Sequence, residues 1–163
     1  MKIAIIYHSE KGNTQKMAEL VKEGCVSVPG VEAKCMSIDG IDEAYVTAAK
    51  AVIVGAPTYE GSCSWQMKRF LDTGPAGMAG KLAGVFASQG FPGGGAPFAE
   101  MSIIAGLLVL GMMVYSGGTT LGKPFLHFGA VSTGAPEDDI WRQRCVKLGQ
   151  NIASKAVELY GEA

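Results

Sequence analysis

Short apolar runs alternate along this chain with stretches whose apolar residues return every three or four positions. Ile3-Ala4-Ile5-Ile6-Tyr7 is an unbroken, largely β-branched run and predicts a strand buried on both faces. Met17, Leu20, Val21, Gly24, Cys25 and Val28 follow at helical spacing and predict an amphipathic helix. Pro29-Gly30 marks a turn, Val31 to Ile38 alternates as a half-buried strand does, and Asp39-Gly40 ends it. Asp42 to Ala49 leaves room for a short helix or turn before the next apolar strand, Ala51 to Gly55, which Pro57 is expected to stop. A helix through Trp65, Met67, Phe70 and Leu71 comes next, with Trp65 read as a core residue.

Pro75 to Gly80 predicts a small loop and Leu82 to Ser88 another strand. Phe98, Met101, Ile104, Ala105 and Leu108 mark a helix that ends near Gly111. Met112 to Tyr115 predicts a short strand and Ser116-Gly117-Gly118 a turn, while Phe125 to Ala130 fits a closing strand segment or an extended loop. In the last helix Pro136 suits the first turn, Glu137, Asp138 and Asp139 complement the dipole, and Trp141, Cys145, Leu148, Ile152, Ala156 and Leu159 share a face. Strands alternating with helices throughout predict one α/β domain, residues 1–163, with helices on both sides of a parallel sheet.

Ligands of such sheets sit beyond the carboxyl ends of the strands. Three loops rich in glycine and hydroxyls follow strands there: Ser9–Thr14, Pro57–Ser64 and Ser88–Gly95. The first opens a helix, whose unpaired N–H groups and positive dipole end favour an anion. Ser9, Asn13 and Thr14 add side-chain donors, and Gly12 lets the backbone pass close to a ligand. This is neither the G-x-G-x-x-G fingerprint nor the Walker loop, and alone an ordinary N-cap turn explains it equally well. Three such loops after successive strands point to one nucleotide site.

Composition narrows the classes. Apolar residues make up 48% of the 163 and charged residues 18%, so a packed core is available. The net charge of −1 gives no electrostatic reason to expect nucleic acid or an anionic membrane. The longest apolar stretch, Ile103 to Tyr115, is too short to span a bilayer and is broken by Gly106 and Gly111, so no membrane insertion is expected. Cys25, Cys35, Cys63 and Cys145 are scattered without metal-ligand spacing, which predicts a reduced, cytoplasmic protein with no metal site. Cys63 reads as a small residue at a helix start, and His127 as a structural histidine or a proton donor near the site.

Ser9-x-x-Gly12-Asn13-Thr14, then Gly55-Ala56-Pro57-Thr58-Tyr59 running into Gln66-Met67-Lys68-x-Phe70-Leu71-Asp72, then Gly80-Lys81-Leu82-Ala83 and Phe128-Gly129-Ala130, together resemble the flavodoxin-like superfamily. Within it they are most similar to the WrbA-type NAD(P)H:quinone oxidoreductases, in a short variant lacking insertions. The resemblance implies a three-layer α/β/α fold with a five-stranded parallel sheet of order 2-1-3-4-5, and FMN as cofactor. By that likeness Ser9, Lys11, Gly12, Asn13 and Thr14 surround the phosphate. Pro57, Thr58, Tyr59, Glu60 and Gly61 edge the ring on one side, and Ser88, Gln89, Gly90, Phe91 and Gly93 on the other.

The activity so implied is two-electron transfer from NAD(P)H to a quinone-like acceptor, with the chemistry at the flavin and no catalytic side chain assigned. A carboxylate about 10 Å from the ring, at an effective dielectric of about 40, opposes the anionic reduced flavin by roughly 0.8 kcal/mol. The two ring loops hold one acid, Glu60, which favours two-electron chemistry. The alternatives are a flavodoxin-type carrier serving a redox partner protein and an interaction protein without redox chemistry. Homo-oligomerisation is open.

Overall fold

A computed structural model describes residues 1–74 and 77–161, so Pro75 and Ala76 of the expected loop lie outside the described residues. The strands are β1 (Lys2–Tyr7), β2 (Glu32–Ser37), β3 (Ala51–Tyr59), β4 (Ser62–Cys63), β5 (Leu82–Gln89), β6 (Met113–Val114) and β7 (Ala130–Thr133). The helices are α1 (Asn13–Val26), α2 (Glu43–Ala48), α3 (Trp65–Thr73), α4 (Ala96–Val109) and α5 (Asp139–Tyr160). The main path of the sheet runs β2-β1-β3-β5-β6, all parallel. β6 pairs with the start of β5, at Leu82 and Ala83, and β7 with its end, from Phe86 to Gln89. The fifth position of the expected 2-1-3-4-5 order is therefore shared by two pieces of chain.

Two cores sandwich the sheet. One face packs Ala4, Ile6, Val52, Val54 and Val85 against Val46 of α2, Met67 and Leu71 of α3 and Ile103 and Leu107 of α4. The other packs Ile3, Ile5, Ile53 and Phe86 against Met17 and Val21 of α1 and Leu148 and Ile152 of α5. The three-layer α/β/α architecture follows directly. On the second face α1 and α5 touch through backbone. A Cβ on Gly24 would lie 2.0 Å from the Val146 carbonyl oxygen, and one on Gly149 would lie 2.0 Å from that of Val21. Any side chain at either position forces the helices apart.

Several expectations need correction. β3 does not stop at Pro57 but continues to Tyr59, with Pro57 in register with Ser88. β1 pairing ends at Gly55, so one side of the strand beyond it is unpaired and tolerates a residue without an N–H. Glu60 and Gly61, at φ 48° and 74°, then form a two-residue turn into β4, the primed hairpin geometry that asparagine or glycine usually supplies. Of the two readings of Phe125 to Ala130 the extended loop holds as far as Gly129, and the closing strand is Ala130–Thr133. Pro136 precedes α5, whose N-cap is Asp138, and Leu159 is exposed.

Two apolar assignments are reversed. Trp65 is 65% exposed, because α3 turns Met67 and Leu71 to the core instead. α4 is apolar around its circumference, and periodicity cannot choose a face on such a helix. It buries Ala96, Ala99, Ile103 and Leu107, and leaves Phe98, Met101 and Leu108 exposed.

Candidate functional site

The ends of β1, β3 and β5 meet at one edge, and a cleft of about 360 Å³ opens there. Its walls are Ser9, Glu10, Lys11, Asn13 and Thr14 after β1, Pro57, Thr58 and Tyr59 at the end of β3, and Ser88, Gln89, Gly90 and Gly134. Gly12 caps α1 at φ 82°, a conformation that costs a residue with a Cβ, and its carbonyl accepts the first helical bond, from Lys16 N–H. The N–H groups ahead of Lys16 have no helical acceptor, an arrangement that favours an anion. Thr14 Oγ1 and Ser88 Oγ lie 2.9 Å apart, both buried, tying the first loop to the third. Ser9 Oγ and Thr58 Oγ1 are buried without any hydrogen-bond partner. Lys11, exposed, is the sole cation lining the cleft among the described residues.

The second and third loops close on each other. A Cβ on Gly95 would touch Gly61 Cα at 3.4 Å, and Cys63 N–H donates to Ser102 Oγ on α4 at 3.1 Å. The Gln89 side chain braces the third loop: its Oε1 accepts from Ala96 N–H at 3.1 Å and its Nε2 donates to Thr133 Oγ1 at 3.2 Å. Gly134 N–H donates to the Gln89 carbonyl, which brings Gly134 to the cleft. Behind the second loop, His8 Nδ1 lies 2.9 Å from Ser64 Oγ, the N-cap of α3. Burial lowers the His8 pKa and raises that of Tyr59, whose ring meets His8 edge-on with centroids 6.5 Å apart.

Of the predicted residues, Ser9, Lys11, Asn13, Thr14, Pro57, Thr58, Tyr59, Ser88, Gln89 and Gly90 line this cleft, and Gly12, between Lys11 and Asn13, is the helix cap and not a lining residue. Glu60 and Gly61 occupy the hairpin turn beside it, Phe91 is 67% exposed on the third loop, and Gly93 lines a neighbouring cavity. Glu10 and Gly134 are additions that sequence reasoning missed. Gly134 follows β7 directly, as Gly90 follows β5, but the sequence pattern marks no strand over Ala130–Thr133 and so hides that signal. His127 is exposed and lines the neighbouring cavity, and Cys63 is buried in β4, the return strand of the hairpin.

The family model for flavodoxin matches residues 5–88, which carry the ends of β1 and β3 and all of β5 but its last residue. A flavodoxin of Clostridium saccharobutylicum is 34% identical over 161 residues, covering 98% of this chain and 100% of its own. The chain belongs to the flavodoxin family. A flavodoxin of Aquifex aeolicus (strain VF5) is 40% identical over 157 residues, covering 93% of this chain and 85% of its own. The solved structure of a flavodoxin from the domain Archaea superposes with a TM-score of 0.74 at 28% identity, covering 96% of this chain and 99% of that one. More distant matches bear the name NAD(P)H dehydrogenase (quinone), one of them from Archaeoglobus fulgidus at 32% identity over 190 residues. As a flavodoxin-family flavoprotein this chain is built for electron transfer. Among its described residues no helix is long and apolar enough to cross a membrane.

Proposed function

We propose that this protein binds FMN in the cleft and carries electrons between protein partners. The observation that carries the reading is the cup at the start of α1. Ser9 Oγ and Thr58 Oγ1 are buried there with no partner in the protein, beside helix N–H groups that also lack acceptors. Leaving buried hydroxyls unpaired is costly, and a phosphate supplies the missing acceptor oxygens. In the bound state Ser9, Asn13 and Thr14 hold the phosphate with the N–H groups of α1. Tyr59 and the third loop border the ring, and Lys11 stays in solvent. FMN supplies the redox chemistry, and the protein sets who reaches it.

A protein partner suits the surface around the loops. Trp65, Phe91 and Phe98, at 65%, 67% and 70% exposure, sit on or directly after the second and third loops. Large exposed aromatics so placed are what an interface uses. A second copy of the chain is the other occupant of that surface, and sedimentation at rising concentration separates the two. The four free cysteines suit a reducing cytoplasm.

One observation favours a second reading, two-electron transfer from NAD(P)H to a quinone-like acceptor. Glu10 is the only carboxylate lining the cleft among the described residues, with Glu60 in the adjacent turn, so few charges oppose an anionic reduced flavin. A reductive titration of the FMN-loaded protein decides. Two resolved one-electron steps, and no bleaching by NADH or NADPH, support the carrier. A single two-electron step with quinone-dependent NAD(P)H oxidation supports the enzyme. Failure to take up FMN overturns both.

A further inference from the structure

A second cavity, about 390 Å³, opens at the outer edge of the sheet between the start of α4, the loop before β7 and the first turns of α5. It shares Gln89 with the flavin cleft but is otherwise built from different residues. Phe125, Phe128 and Trp141 give it aromatic walls. Two polar groups reach it from opposite elements. Glu100 of α4 is 2% exposed, and its Oε1 is buried without a hydrogen-bond partner. Arg144 of α5 has its Nε buried and equally unpartnered. The two form no ion pair with each other.

The surroundings hold both groups in place. A Cβ on Gly129 would come within 2.7 Å of Glu100 Oε1, so the loop's backbone closes directly on the carboxyl. The Arg144 guanidinium carbon lies 5.1 Å from the centre of the Trp141 ring, which steadies it by a cation–π contact. Buried polar atoms without partners inside the chain are rare, and each calls for a partner, water or ligand, from outside it.

We propose that this cavity binds a small aromatic carboxylate, whose carboxylate is held between the Glu100 carboxyl and the Arg144 Nε–H while its ring lies among Phe125, Phe128 and Trp141. The charge argument selects this class. Arg144 brings one positive charge. Burial pushes the Glu100 carboxyl up to about 8, so at neutral pH it is a neutral acid with an O–H to donate. A carboxylate ligand accepts from both groups and balances the arginine. A cationic ligand meets Arg144, and a plain hydrocarbon leaves both polar atoms unpaired. Among the described residues the other titratable group lining the cavity is His127, from the loop; β5, which packs against α4, carries no charged residue, and Lys68, Arg69 and Asp72 of α3, which also packs on α4, line other cavities.

The inference does not depend on the flavin reading, and calorimetric titration of the purified protein with 2-naphthoate, with and without FMN, tests it. Saturable one-site binding is expected in both forms at pH 7. It should be about 30-fold weaker at pH 9.5, as Glu100 ionises and repels the ligand. Arg144→Met should weaken binding at least tenfold. Glu100→Gln, whose amide N–H still donates, should bind within about threefold of wild type at pH 7 and lose the pH dependence. His127→Gln should keep it. The proposal is overturned by no binding at millimolar naphthoate, by undiminished binding to Arg144→Met, by pH dependence that disappears in His127→Gln instead, or by 2-naphthylmethylamine binding as well as the carboxylate.

Discussion

Replacing Ser9 by alanine removes a hydroxyl that has no partner inside the protein, and that makes it a sharp probe of the flavin cleft. In the flavin-free protein the substitution deletes an unsatisfied buried group. Stability should stay level or rise by up to about 1 kcal/mol. In the FMN complex it deletes one hydrogen bond to an anionic phosphate, which costs about 1.5–3 kcal/mol, or roughly ten- to a hundredfold in affinity. Thr14→Val is the matched control. It breaks the 2.9 Å contact to Ser88 Oγ, and Ser88 is only 4% exposed, so it should also cost about 1–3 kcal/mol of flavin-free stability. Lys11→Ala should change affinity several-fold at most, since an exposed cation contributes little. Quenching of FMN fluorescence gives the dissociation constants, and urea unfolding of flavin-free protein gives the stabilities. Unchanged FMN affinity in Ser9→Ala, with Lys11→Ala abolishing binding, would refute this account of the cup.

The remaining predictions concern packing and protonation. Gly149→Ala places a Cβ 2.0 Å from the Val21 carbonyl and should destabilise the fold by more than about 3 kcal/mol, read as a fall in urea midpoint or loss of soluble protein. The raised Glu100 pKa, about 8 against about 4.3 unfolded, means the unfolded chain releases this proton first; stability attributable to it is greatest at low pH and falls by roughly 1.4 kcal/mol per unit between about pH 5 and 8. Glu100→Gln should remove that slope, and identical slopes in the two proteins would contradict it. His8 runs the other way: its lowered pKa makes the unfolded chain take up the proton first, so stability is complete above about pH 6.5 and declines below it. His8→Gln should therefore steepen the rise in urea midpoint that Glu100 produces between pH 7.5 and 5.5, and an unchanged profile would contradict it.

What the sequence reveals of this protein follows from where its signals are local. The three strand-loop-helix ends are legible because each combines an apolar run, a glycine and a hydroxyl within a dozen residues, and the loops do meet at one edge. The burial of Trp65 and the choice of face on α4 are illegible in the sequence for a shared reason. Helical spacing reports a stripe, and on α3 and α4 apolar residues occupy more than one stripe, so only the packing of Met67, Leu71, Ile103 and Leu107 decides which one is buried. Pro57 predicts a strand end because local rules forbid it in a ladder, whereas its tolerance depends on β1 having already stopped pairing. Glu100 is invisible to periodicity for the opposite reason. A single acid on an apolar helix reads as solvent-facing, and only tertiary structure shows it turned inward.

The split of the last sheet position explains why such a buried acid is accommodated. Were residues 113 to 133 one continuous strand, the edge of β5 would be covered along its length and no cavity would separate α4 from α5 there. Instead β6 covers the start of β5, β7 covers its end, and the chain between them leaves the sheet. It returns through Phe125 to Gly129, carrying two aromatics and a glycine into the space beside Glu100. A side chain at Gly129 could not pass the Val85 carbonyl oxygen, which a Cβ would approach to 1.9 Å. The return is thus fixed by one residue. Gly129→Ala should displace the loop, open the Glu100 pocket to water and lower the Glu100 pKa toward the ordinary carboxylate range. Carbon-13 NMR of the labelled carboxyl measures that shift, and a Glu100 pKa unchanged in a folded Gly129→Ala variant would show that the loop does not shelter it.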